Sequence, residues 1–65
     1  MLARFFTNMA TKEIQAGKVY ETRWGDWRFF VEKIVDGIIF YTVEQTKQKC
    51  STTVSNFASR VVREI

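Results

Sequence analysis

The chain has no proline, no histidine, a single cysteine and only three glycines in 65 residues. Each scarcity removes a class of protein. One thiol cannot form a disulfide within the chain, and without histidine an ordinary zinc or haem site lacks its ligands, so neither metal nor cofactor is expected. A lone thiol fits a reducing compartment, and the cytoplasm is the expected location. Three glycines do not make a phosphate-cradling loop. No apolar run approaches the ~18 residues of a membrane span, and no signal-peptide core of sufficient length is present. No membrane association is expected.

Catalytic groups are also missing. Glu21, Asp26, Glu32, Asp36 and Glu44 are spread over turns and strands, with no histidine to share proton transfer. The hydroxyls of residues 51–55 have no base near them in sequence. Turn and cap roles account for Asp26, Asp36 and the serines and threonines. The expectation is a protein that is not an enzyme, and function must then lie in what its surface binds.

What is present is one small domain, residues 1–65, near the lower size at which a chain without staples buries enough surface to fold alone. Most of its aromatics fall between Gly17 and Glu44. Aromatic rings supply much of the buried area that so short a chain needs. Ten Lys and Arg against seven Asp and Glu give a net charge of +3, which permits anionic partners without demanding them.

Residues 17–53 read as a β-meander. Asp36-Gly37 is the type I′ hairpin signature, and Gly25-Asp26 fits a two-residue type II′ turn. Between them WRFFVEKIV is rich in β-branched and aromatic residues. These turns set Trp24 opposite Trp27, Arg23 opposite Arg28 and Tyr20 opposite Val31. They also set Ile34 opposite Ile39, Glu32 opposite Tyr41 and Phe30 opposite Val43. One face then carries Tyr20, Trp24, Trp27, Phe29, Val31, Val35, Ile38 and Phe40. The other carries Val19, Phe30, Ile34, Ile39, Tyr41 and Val43. A flat sheet of three strands cannot hide both. Residues 48–52 are expected to add a fourth, edge strand, guarded by lysine, with Cys50 as a small core residue.

Helical spacing flanks the meander. Leu2, Phe5, Phe6 and Met9 fall at i, i+3, i+4, i+7, which predicts a short N-terminal helix within residues 1–15. Val54, Phe57, Ala58, Val61, Val62 and Ile65 continue the same period, which predicts a C-terminal helix over 54–65 with Thr53 or Ser55 as N-cap. The competing reading of 54–65 is a single 3₁₀ turn followed by a closing strand, RVVREI, because the β-branched residues also suit a strand. The fold class is α+β: an antiparallel meander of three or four strands with a short helix at each end.

A resemblance is carried by Gly17-Lys18-Val19-Tyr20, by Trp24-Gly25-Asp26, by Val31 to Ile34 with Asp36-Gly37-Ile38-Ile39-Phe40-Tyr41, and by Cys50, Phe57 and Arg60. Over residues 16–65 this pattern resembles a group of small uncharacterised phage and prophage proteins with an SH3-like barrel core. The resemblance implies a partly open SH3-like barrel and a phage-type accessory role. It brings no catalytic residues with it. The N-terminal stripe and the dense aromatics at 27–30 depart from the pattern.

Two kinds of partner fit these residues. Tyr20, Arg23, Trp24, Trp27 and Arg28 interleave aromatics with cations, as a nucleic-acid stacking platform does. Lys47, Lys49, Arg60 and Arg63 make the C-terminal third basic, although residues 17–45 hold four cations against five anions. Trp, Tyr and Arg are equally the residue types of protein-interface hot spots. A host protein or a second copy of the chain is therefore the other candidate partner. The basic C-terminal third tips the reading to nucleic acid.

Overall fold

The computed structural model describes residues 10–65. Most of the N-terminal helix expected within residues 1–15 lies outside them. The described part is a 3₁₀ turn at Thr11–Glu13, entered from Ala10 in extended conformation. The Glu13 carboxylate accepts a hydrogen bond from the Ala10 N–H at 2.7 Å. Strands β1 (Val19–Thr22), β2 (Arg28–Val35), β3 (Ile38–Val43) and β4 (Lys49–Thr53) follow, then helix α1 (Val54–Arg60) and strand β5 (Val61–Glu64). The sheet is fully antiparallel, in the order β4-β3-β2-β1-β5. The α+β class and the meander are therefore present, with one strand more than expected.

The C-terminal helix expected over 54–65 is corrected at Val61, where the closing strand of the competing reading is found instead. Thr53 caps α1 as foreseen, its hydroxyl accepting from the Asn56 N–H at 3.1 Å. The helix then stops after seven residues. β1 would otherwise be an edge with a row of unpaired backbone groups. The β-branched pair Val61-Val62 suits an extended chain better than a helix, and residues 61–64 add to β1. Val54, Phe57, Ala58 and Val61 still point inward, because a helix followed by a strand can bury the same apolar residues from either period.

The first hairpin is two residues looser than expected. Tyr20 pairs with Phe29 and Glu21 with Arg28, so the predicted Trp24–Trp27 and Arg23–Arg28 pairs do not form. The Thr22 N–H donates to the Trp27 carbonyl at 3.0 Å, leaving a loop of Arg23 to Asp26. The cause is local. The Thr22 hydroxyl accepts from the Trp24 N–H at 3.3 Å, and this side-chain turn diverts the backbone before it reaches Gly25. The Arg23 N–H meanwhile donates to the Arg60 carbonyl at 3.0 Å. At the second hairpin Asp36 and Gly37 have φ of 51° and 77°, as a type I′ turn requires.

A β-bulge at Glu32 resolves the sheet with two apolar faces. The expected pairs hold from Val35–Ile38 back to Lys33–Phe40, after which Val31, not Glu32, faces Tyr41. One extra residue on β2 reverses the facing of everything before it. Tyr20, Phe29 and Val31 thereby join Ile39, Tyr41 and Val43 on one buried face, closed by Ile14, Phe57, Ala58 and Val61. Phe57 is the hub of this core, with its ring centroid 5.8 Å from Tyr20, 5.7 Å from Phe29 and 5.2 Å from Tyr41.

Candidate functional site

The meander sends two reversals to the same end of the sheet. These are the Arg23–Asp26 loop between β1 and β2, and the Glu44–Gln48 segment between β3 and β4. Gln45 ties them together: its side-chain oxygen accepts from the Arg28 N–H at 3.1 Å and its side-chain NH₂ donates to the Asp26 carbonyl. The Glu44 N–H adds a bond to the Arg28 carbonyl at 2.9 Å. Within the first loop the Asp26 N–H donates to the Trp24 carbonyl at 2.9 Å across Gly25, whose φ of 80° is available to glycine at little cost.

Between these loops lies an open groove of about 320 Å³, lined by Trp24, Trp27, Phe29, Val43, Thr46 and Gln48. Its floor is the end of the core, Phe29 and Val43. Its walls are the indoles, 60% exposed at Trp24 and 43% at Trp27. Side chains of that size are normally used to bury area, so two of them left open beside an apolar floor make this groove the candidate site.

The sequence-predicted binding residues divide into three groups. Tyr20 belongs to the core: it is fully buried, and its hydroxyl accepts from the Gln15 N–H at 2.7 Å. Lys49 and Arg63 are exposed but engaged by carboxylates. Lys49 pairs with Glu32 at 3.0 Å and Arg63 with Glu21 at 2.5 Å. Arg23, Trp24, Trp27, Arg28 and Lys47 remain, all exposed and all on or beside the two loops. Arg60 stands next to them through its bond to Arg23, with its guanidinium donating to the Tyr41 hydroxyl at 3.4 Å. Among the described residues none of these four cations forms an ion pair with a carboxylate. Asp26 and Glu44 are the carboxylates on the same loops.

The fold thus gathers what the sequence keeps apart. Lys47, from the basic C-terminal third, comes to the end of the sheet that carries both tryptophans, whereas Arg60 reaches that end by its backbone and turns its guanidinium to the Tyr41 hydroxyl. Phe29, Val43, Thr46 and Gln48 were not singled out from the sequence as site residues. The bulge decides that Phe29 and Val43 share a face, and nothing in the polar run 45–48 distinguishes its contacting residues from its solvated ones.

A second groove, about 340 Å³, lies along β2, β3 and β4 and is lined by Glu32, Lys33, Phe40, Tyr41, Lys49, Cys50 and Ser51. Its charges are satisfied internally. The Glu32 carboxylate accepts from the Thr42 hydroxyl at 2.7 Å and from Lys49, and the Lys33 ammonium sits 5.0 Å from the Phe40 ring centroid. The bond from Thr42, then that from Lys49, holds the Glu32 carboxyl below its ordinary range. Burial pushes the Tyr41 hydroxyl up, neighbouring Cys50 adds to this, and Arg60 opposes it. Among the described residues no group of Cys, Asp and Glu is arranged to hold a metal ion, and no helix is long and apolar enough to cross a membrane. No family model, curated protein or solved structure matches this chain.

Proposed function

We propose that this chain is a small non-enzymatic binding module that engages nucleic acid through the tryptophan end of its sheet. The observation that carries the reading is a juxtaposition. Two exposed indoles border an apolar groove, and Arg23, Arg28 and Lys47 lie on or beside the two loops that frame it, without carboxylate partners among the described residues. Indoles offer flat faces for bases, and unpaired cations offer contacts to phosphates. An SH3-like, partly open barrel is the finer reading of the fold. What supports it is the meander of β1 to β4 followed by α1 and a β5 that returns to β1. A phage-type accessory role in the cytoplasm accompanies that reading, on the resemblance of residues 16–65 and on the lone half-buried thiol, Cys50.

The test is an amide NMR titration with short single-stranded and duplex oligonucleotides at low and high salt. Shifts confined to residues 23–28 and 44–48 that fade as salt rises are the expected result, because phosphate contacts weaken steeply with ionic strength. No shift at low salt overturns the reading. The apolar floor, Phe29 and Val43, favours a second reading in which an apolar side chain of a host protein or of a second copy fills the groove. That interface would persist at high salt.

A further inference from the structure

We infer that the groove between the two loops admits an unpaired nucleobase, which makes the module selective for single strands over duplex. This rests on the nucleic-acid reading above and narrows it. The floor of the groove, Phe29 and Val43, has no polar side-chain atom, so a phosphate or a sugar hydroxyl seated there would lose its water without compensation. Its walls, Trp24 and Trp27, favour a flat ring presented by its face. The two loops that frame the groove carry Arg23, Arg28 and Lys47 against Asp26 and Glu44, so the occupant is better attached to an anion than to a cation. An unpaired nucleotide combines a flat ring with an attached phosphate.

A duplex does not offer that combination. Its bases are stacked on one another, and only their edges and the phosphates are open to a protein. An unpaired base can leave its neighbours and lay its face against an indole. Gln48 and Thr46 complete the lining with an amide and a hydroxyl, beside the two indoles, whose N–H groups can only donate. The Thr46 hydroxyl already accepts from the Gln48 N–H at 3.3 Å, which leaves its O–H proton free to donate. The Gln48 side-chain amide makes no hydrogen bond among the described residues, and it carries both donors and an acceptor for a base edge.

The chain supplies its own reporter, because its two tryptophans are Trp24 and Trp27. The experiment is a titration of intrinsic fluorescence with oligothymidylate, a duplex of equal length, and an abasic strand with the same number of phosphates. Quenching by oligothymidylate, with affinity at least about ten-fold above the duplex and the abasic strand, is the expected result. Three phosphates facing Arg23, Arg28 and Lys47 give a slope of log affinity against log salt near −2, at roughly 0.7 per phosphate. Trp27→Ala should weaken binding roughly 5- to 100-fold, read by anisotropy of a labelled strand. Its circular dichroism should match the parent, since the ring is outside the core.

The failures are separable. Equal affinity for all three ligands, with the expected salt slope, overturns the base-in-groove inference and leaves a general phosphate-binding module. No binding of any oligonucleotide at low salt overturns both this inference and the nucleic-acid reading. Binding that Trp27→Ala leaves unchanged overturns the groove as the site.

Discussion

At one end of the sheet the chain reverses once, through Asp36-Gly37, and the start of α1 fastens onto that turn by a bond from the Val54 N–H to the Gly37 carbonyl at 2.9 Å. At the other end it reverses twice, through Arg23–Asp26 and Glu44–Gln48, and both indoles stand open to solvent there. The same two residue types serve both hairpins in opposite order. Asp-Gly makes a tight turn whose conformation is set by backbone alone. Gly-Asp sits inside a longer loop set by the Thr22 hydroxyl and by Gln45 reaching across from the other reversal. The difference separates two settings of aromatic area in a small domain: rings packed around Phe57 form the core, and rings at the double-loop end stand exposed, where the proposed partner would meet them.

The strongest way to break that division is to truncate one ring from each group. Phe57→Ala removes the hub of the core and should cost about 3–5 kcal/mol. That approaches the whole stability of a domain this small, so loss of the folded state is the expected outcome. Trp27→Ala should cost about 1 kcal/mol or less. Urea unfolding followed by far-ultraviolet circular dichroism reads both variants. A large loss at Trp27 would make it a core residue and remove it from the site.

Glycine sharpens the comparison next. An added Cβ meets open space at both Gly25 and Gly37, so any cost of alanine is conformational. Gly37→Ala should cost about 1–2 kcal/mol, the penalty for an L-residue held at positive φ. Once folded, it should bind as the parent does. Gly25→Ala carries a comparable strain at φ 80°, but it does so between the two indoles and should weaken binding as well. Equal binding by the two variants would mean that the Arg23–Asp26 loop does not shape the site.

How much of this was legible in the sequence follows from the range of the interactions involved. Asp36-Gly37 is a local signal and its turn is found where expected, as are the edge strand β4 and the Thr53 cap. The bulge at Glu32 is not local: it forms because β2 must present Phe29 and Val31 on the same side as Tyr41 and Val43, a demand made by α1 and by Phe57 from beyond the meander. Residues 61–64 are ambiguous for a related reason. Their apolar spacing fits a helix, and only the open edge of β1 decides for a strand. The site was half legible. The interleaved Arg and Trp of residues 23–28 can be read directly, while Thr46 and Gln48 join them only because a meander returns every second turn to the same end. Tyr20 has the composition of a site residue and the facing of a core residue, and facing prevails.

That residue supplies a smaller test. Tyr20→Phe keeps the ring against Phe57 and removes only the hydroxyl that accepts from the Gln15 N–H. A loss of about 1 kcal/mol is expected, with faster amide exchange at Gln15 and no change in oligonucleotide binding. Weakened binding with unchanged stability would return Tyr20 to the site.

The smallest effect expected concerns the ion pair of the second groove. Glu32, the residue at the bulge, is held ionised first by the Thr42 hydroxyl and then by Lys49, and its pKa in the fold lies below the ordinary 4.5. A carboxylate lowered in this way contributes stability that is fully present above its unfolded pKa and is lost as pH falls through the folded one. Glu32→Gln keeps the shape and removes the charge. The stability difference between parent and variant should therefore be constant near neutral pH and shrink toward zero as pH falls below the ordinary carboxylate range, which a pH series of urea midpoints measures. A difference that stays the same throughout would mean that the carboxylate charge contributes nothing. At neutral pH the same variant should bind oligonucleotides as the parent does, because Glu32 lines the groove along β2, β3 and β4 and not the one between the tryptophans. Weakened binding by Glu32→Gln would join the two grooves into one surface and end the separation of a self-paired region from an open one.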